Sequence, residues 1–189
     1  MDETLHVRAL AVGLLSARCY VIWRDGESDC VVIDPGDEPE RIRAACGGRR
    51  IAAILLTHGH FDHIGAVGAL AQAGTEIVIH RLDAPLLADP EGNVSGMVGR
   101  RITAPEATRL VEDGDTVTAA GVAFRVTHTP GHTPGSVCYE AGRRLFTGDT
   151  LFHAGYGRTD LPGGDEAAMA ASLRRLAPMR ATHELYPGH

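Results

Sequence analysis

The stretch Thr57-His58-Gly59-His60-Phe61-Asp62-His63 sets three imidazoles and a carboxylate within six consecutive positions, His58 to His63. It follows Ile51–Leu56, a continuous apolar run that reads as a strand buried on both faces. After it, Ile64, Val67, Leu70 and Ala71 recur at helical spacing up to Gly74, which predicts a helix over Asp62–Ala73. The motif therefore lies at a strand-to-helix corner. His58 and His60 are two residues apart and point the same way on extended backbone. Asp62 and His63 lie where the chain turns into the helix, so one corner presents two ligand pairs to two neighbouring points. Imidazole and carboxylate suit zinc, iron or manganese. A lone His-x-His would read as a polar turn with solvated histidines; four ligand-type residues in six positions read as a metal site.

Three more residues share this grammar. His132 follows Pro130-Gly131, Asp149 follows Thr147-Gly148, and His189 follows Pro187-Gly188, each just beyond a predicted strand. A preceding glycine lets backbone approach closely. Ligands gathered at strand ends place the site on one rim of a sandwich. The other histidines lack this context: His6, His80, His128 and His183 read as surface or core, and His153 either does the same or lines a pocket. Asp34, ending a strand before Pro35-Gly36, either closes an ordinary Asx turn or orients ligand imidazoles together with Thr57, since a metal-bound His usually donates its other N–H to such a group.

The rest of the chain alternates. Leu5–Val12, Cys19–Arg24 and Cys30–Asp34 read as strands, Glu38–Cys46 as a short helix, Glu76–His80 as a strand and Ala84–Ala88 as a short helix. Asp89–Thr108 reads as a long functional loop. Strands return at Thr116–Thr118, Val122–Thr127, Ser136–Glu140 and Arg144–Thr147. A glycine-rich stretch at His153–Gly164, a helix at Asp165–Leu176 and a short strand at Glu184–Tyr186 complete it. Strands and helices in both halves predict two packed sheets with helices outside.

Composition bounds the remaining classes. With 189 residues, 44% apolar and 22% charged, the chain is a globular protein of one domain rather than a disordered or fibrous one. A core of that size needs no metal merely to fold. No apolar run is long enough to span a membrane, and the acidic start Met1-Asp2-Glu3-Thr4 lacks the basic-then-apolar pattern expected of a secretory signal. The net charge is −6, and arginines occur in short pairs such as Arg49/Arg50 and Arg143/Arg144, so a nucleic-acid partner is not expected. There is no lysine, which removes Schiff-base chemistry. Cys19, Cys30, Cys46 and Cys138 form no C-x-x-C pair and fit small apolar positions in a reducing cytoplasm.

The pattern H-x-H-x-D-H, followed by a histidine, an aspartate and a histidine on separate turns, resembles the metallo-β-lactamase superfamily from Asp34 to His189. The resemblance implies a four-layer αββα sandwich with two divalent metal ions, zinc first and iron or manganese next. It implies that His58, His60 and His132 hold one metal, that Asp62, His63 and His189 hold the other, and that Asp149 bridges them. Gly157-Arg158-Thr159-Asp160 is similar to the short glyoxalase-II-like hydrolases. This implies hydrolysis of a small-molecule thioester such as S-lactoylglutathione, with Asp62 and Asp149 catalytic and Arg158 and Tyr156 contacting substrate. Arg158 alternatively ties its loop to Asp160. The resemblance does not extend to the helical C-terminal domain of full-length glyoxalase II, and short relatives usually continue past the last ligand, so either a C-terminal truncation or an unusual ending is expected. Two alternatives accompany this reading: a persulfide dioxygenase, with one iron held by two histidines and an aspartate, and a metal-binding module without turnover. A β-lactamase is set aside because a carboxylate occupies the bridging position.

Overall fold

A computed structural model describes residues 4–189. Six strands form the first sheet in sequence order: β1 (Leu5–Val12), β2 (Ala17–Arg24), β3 (Asp29–Ile33), β4 (Arg50–Leu55), β5 (Glu76–His80) and β6 (Arg109–Val111). β1 to β3 are antiparallel and β3 to β6 parallel. The second sheet is ordered β11-β10-β9-β8-β7, from β7 (Thr116–Ala119), β8 (Val122–His128), β9 (Val137–Ala141), β10 (Arg144–Gly148) and β11 (Glu184–Pro187). β11 lies parallel to β10 and the other pairs are antiparallel.

The two sheets turn apolar faces toward each other, and helices cover the outer faces over the middle of the first sheet and over β9 and β10. Ile22, Val31, Ile33 and Leu55 of the first sheet meet Phe124, Val126, Tyr139 and Phe146 of the second. On the outer face of the first sheet, Val32, Ile54 and Ile79 pack with Ile42 of α1 (Pro39–Cys46), Ile64 of α2 (Phe61–Ile64) and Leu70 of α3 (Val67–Leu70). On the outer face of the second, Cys138 and Leu145 pack with Leu176 of α4 (Glu166–Arg180). The result is the expected four-layer αββα sandwich. All four cysteines are buried and free. No described helix is long and apolar enough to cross a membrane.

Two predicted elements differ. The helix over Asp62–Ala73 is two single-turn pieces, α2 and α3. Between them the Ala66 N–H leaves the helical ladder and donates to Pro35 O at 2.9 Å, tying the turn after β3 to the metal motif. The long loop is also more ordered than its composition suggests. Buried Asn93 donates to Leu86 O (3.0 Å) and Ile102 O (2.8 Å) and accepts from Ser95 N–H (3.1 Å). The loop ends in β6, a strand absent from the sequence reading.

Candidate metal centre

The sandwich brings the ligand-type residues to one rim. Asp34 follows β3, His58 follows β4, His132 follows β8, Asp149 follows β10 and His189 follows β11. Because β10 and β11 run parallel, Asp149 and His189 emerge side by side. The two sheets are locked at this rim: Thr57 O accepts from Val137 N–H at 2.9 Å, and Gly188 O accepts from Arg18 N–H at 2.7 Å. Two glycines are obligatory here. A Cβ on Gly148, at φ +48°, would fall 2.3 Å from Thr57 Oγ1, and one on Gly188 would fall 2.1 Å from Asp149 Oδ1.

Two triads result. His58, His60 and His132 form one, with His60 Nδ1 2.9 Å from His132 Nε2. Asp62, His63 and His189 form the other, with Asp62 Oδ2 3.3 Å from His189 Nε2 and 3.6 Å from His63 Nε2. Asp149 touches both: Oδ2 is 3.5 Å from His132 Nε2 and 3.5 Å from His189 Nε2, while Oδ1 is 3.5 Å from His63 Nε2. The carboxylate separations exceed ordinary hydrogen bonds. They match the edge of a tetrahedron around a zinc-type ion with bonds near 2.0–2.2 Å, which is about 3.3–3.6 Å. Nε2 of His58, Nε2 of His63 and Oδ1 of Asp149 are buried with no hydrogen-bond partner. Buried polar atoms are ordinarily satisfied, and a cation is the group that satisfies these lone pairs together.

Asp34 is buried and does not close an ordinary turn; its backbone is left-handed at φ +51°. Oδ1 accepts from Thr57 N–H (2.8 Å), and Oδ2 accepts from the Thr57 hydroxyl (2.6 Å) and from His63 Nδ1–H (3.0 Å). The Thr57 hydroxyl spends its one proton on Asp34, so it accepts from His58 Nδ1–H at 3.1 Å. One carboxylate thereby fixes the Nδ1–H of two ligands and leaves both Nε2 atoms facing the site. His132 Nδ1–H is fixed likewise by Arg158 O at 2.7 Å.

The two triads differ electrostatically. Burial, and then the neighbouring imidazoles, push His58 far below its ordinary value and His60 down to about 3, so both rings are neutral and ready to bind a cation. Burial also works against a charge on His63, but Asp62, Asp149 and Asp34 outweigh it and raise the ring to about 10. Asp62 is opposed by burial too, yet His63 and then the His189 ring beside it hold its carboxyl well below the usual range.

Sequence reasoning missed Asp83. This buried carboxylate accepts from Gly59 N–H (2.9 Å) and the Thr133 hydroxyl (2.7 Å) on Oδ2, and from Gly135 N–H (2.6 Å) on Oδ1. It therefore ties the loop carrying His58 and His60 to the loop carrying His132. In sequence, Asp83-Ala84-Pro85 reads only as a helix start, and its partners are up to 52 residues away.

Beside the triads lies a cavity of about 440 Å³. Arg158 reaches its wall, but its guanidinium is held by Asp160, Nε to Oδ1 at 2.6 Å and Nη2 to Oδ2 at 2.7 Å. Tyr156 is 49% exposed and lies outside the lining, as does exposed His153.

The profile of the Metallo-beta-lactamase superfamily matches residues 12–189. The chain belongs to this superfamily. Hydroxyacylglutathione hydrolase GloC of Haemophilus influenzae is 33% identical over 199 residues, covering 98% of this chain and 91% of that protein. Among solved structures, BLEG-1 B3 metallo-beta-lactamase superposes with a TM-score of 0.91 at 35% identity, over 97% of this chain and 91% of that one. TTHA1623 in a di-iron-bound form superposes at 0.84 with 39% identity, over 97% and 92%. The superfamily fold and the His/Asp clusters together make the rim a divalent-metal site of a metallohydrolase, without fixing which metal.

Proposed function

We propose that the chain hydrolyses thioesters at a dinuclear centre. The observation that carries this is Asp149, whose Oδ2 lies 3.5 Å from His132 of one triad and from His189 of the other, with Oδ1 3.5 Å from His63. His58, His60 and His132 would hold one ion, Asp62, His63 and His189 the other, and Asp149 both. Two divalent cations there would lower the pKa of a shared water and polarise the thioester carbonyl.

The chain's own residues supply the rest. Asp62 is ionised and only about one-eighth exposed, so its carboxylate can accept a hydrogen bond from the attacking water and fix its direction. The Asp34–Thr57–His58 and Asp34–His63 contacts keep the ligand rings from rotating. A thiolate leaves without needing a proton donor, and no acidic group beyond the ligands is required. The hydroxyacylglutathione hydrolase relative supports S-lactoylglutathione as the first substrate to assay. The likeness to BLEG-1 favours a second reading, β-lactam hydrolysis at the same rim.

The test is turnover of S-lactoylglutathione and of a β-lactam by the metal-loaded protein, each compared with Asp62→Asn. Thioester turnover that falls at least a hundredfold in the variant supports the proposal. β-Lactam turnover alone supports the second reading. Oxygen uptake on glutathione persulfide with one iron per chain would replace both with oxidation. Bound metal without any turnover would leave a metal-binding module.

A further inference from the structure

We propose that the substrate carries an apolar arm attached to the reacting carbonyl, seated on a wall formed by Leu15, Phe61, Val94, Met97, Val98 and Leu161. This deepens the thioester reading and rests on it. The wall begins at the ligands themselves: Phe61 neighbours Asp62, and both line the cavity with His60, His132, Asp149 and His189. Its upper part comes from three separate segments, the β1–β2 turn with Leu15, the loop with Val94, Met97 and Val98, and the glycine-rich stretch with Leu161.

Scattered exposed apolar side chains are ordinary, but a cluster is not. Three of the seven large apolar side chains exposed among the described residues line this one cavity: Met97 at 66%, Leu15 and Val98. A molecule covering them removes apolar surface from water. The cavity's only arginine is Arg158, and its fork is already filled by Asp160, so it offers little to a carboxylated arm. With about 440 Å³ continuous with the metal ligands, the space suits a small molecule reaching the metals. An arm on either side of the carbonyl, acyl or thiol, meets the same wall.

The experiment has a binding part and a turnover part. Straight-chain alkyl hydroxamates, whose head binds metal, are titrated calorimetrically into the metal-loaded protein and into the Leu15→Ser/Met97→Ser variant. Both replaced side chains are exposed, and circular dichroism checks that the variant is folded. Kd should fall about three- to fourfold per added methylene in the wild type until the wall is covered, and markedly less in the variant. A flat series, or equal slopes in the two proteins, overturns the inference. In turnover, kcat/KM is measured for acyl thioesters of one small thiol and for acetyl thioesters of lengthening alkyl thiols. The series with the steeper rise locates the arm. Turnover that is independent of both chains overturns the inference while sparing the hydrolase reading. A chain-length dependence in binding with no turnover does the reverse. A dimer that dissociates in the serine variant, with a flat hydroxamate series, would assign the wall to a second copy of the chain and also overturn it.

Discussion

Replacing Asp34 with Asn separates the carboxylate's charge and accepting capacity from its shape. Asn tolerates the left-handed backbone at φ +51°, so the loop is not strained by the change. The carboxylate accepts three hydrogen bonds, two on Oδ2 and one on Oδ1. An Asn amide nitrogen cannot accept, so whichever way it turns, at least one buried donor loses its partner. If the nitrogen faces Thr57 Oγ1 and His63, the hydroxyl reverses and no longer needs the His58 Nδ1 proton, and His63 loses its only acceptor for Nδ1–H. Both ligands are then free to take the tautomer whose Nε2 carries the proton and cannot bind metal. The orphaned donor should cost ~1–3 kcal/mol in the metal-free protein, or roughly 2–10 °C in Tm. Loss of a hydrogen-bond partner to a ligand should weaken metal binding by roughly 10–100-fold. Competition against a chelator of known affinity, with differential scanning calorimetry of the metal-free protein, reads both. Metal affinity within twofold of wild type would refute the role given to Asp34.

Three further outcomes follow from the same geometry. Asp83→Asn leaves one of three buried donors unpaired and should lower stability by ~1–3 kcal/mol, seen as a lower urea midpoint with an unchanged m-value; an unchanged midpoint would show that the two ligand loops hold themselves. Burial, with His128 stacked 4.2 Å away, pushes His80 down to about 4, against the pull of Glu112 and Asp113 and with Arg81 adding to it. The unfolded chain then binds the extra proton, so stability is full above pH 6.5 and falls by about 2 kcal/mol towards pH 4; His80→Phe should flatten that fall, and identical pH slopes would remove His80 from the account. Chelation should abolish activity while far-ultraviolet circular dichroism keeps most of its amplitude, because the two apolar layers are complete without metal; global unfolding would make the metal structural.

What was legible in the sequence was local. His58, His60, Asp62 and His63 announce themselves because they crowd one corner, and His132, Asp149 and His189 because a glycine precedes each beyond an apolar strand. β3, β4 and β5 were legible because the middle of the first sheet is covered on both faces, which makes their sequences continuously apolar, whereas β7 and β8 show the alternation of strands with one solvated face. What was not legible depends on distant partners. The helix after the motif is broken by a hydrogen bond from Ala66 to Pro35, and nothing in Asp62–Ala73 records that acceptor. β6 exists because β5 offers it an edge. Asp83 looks like any helix start until Gly59, Thr133 and Gly135 surround it. Arg158 presented two readings in sequence, and the side chain is found bidentate on Asp160 while its carbonyl supports His132.

The central claim is that this rim holds two ions sharing Asp149. Elemental analysis of the metal-reconstituted protein, run beside Asp149→Asn, tests it most directly. Asn keeps the size of the side chain and removes the charge that lies 3.5 Å from a histidine of each triad. Two ions then face each other with less compensation, so the account predicts two metals per chain in the wild type and one or none in the variant. A single metal per chain in the wild type, or two retained in the variant, would contradict it.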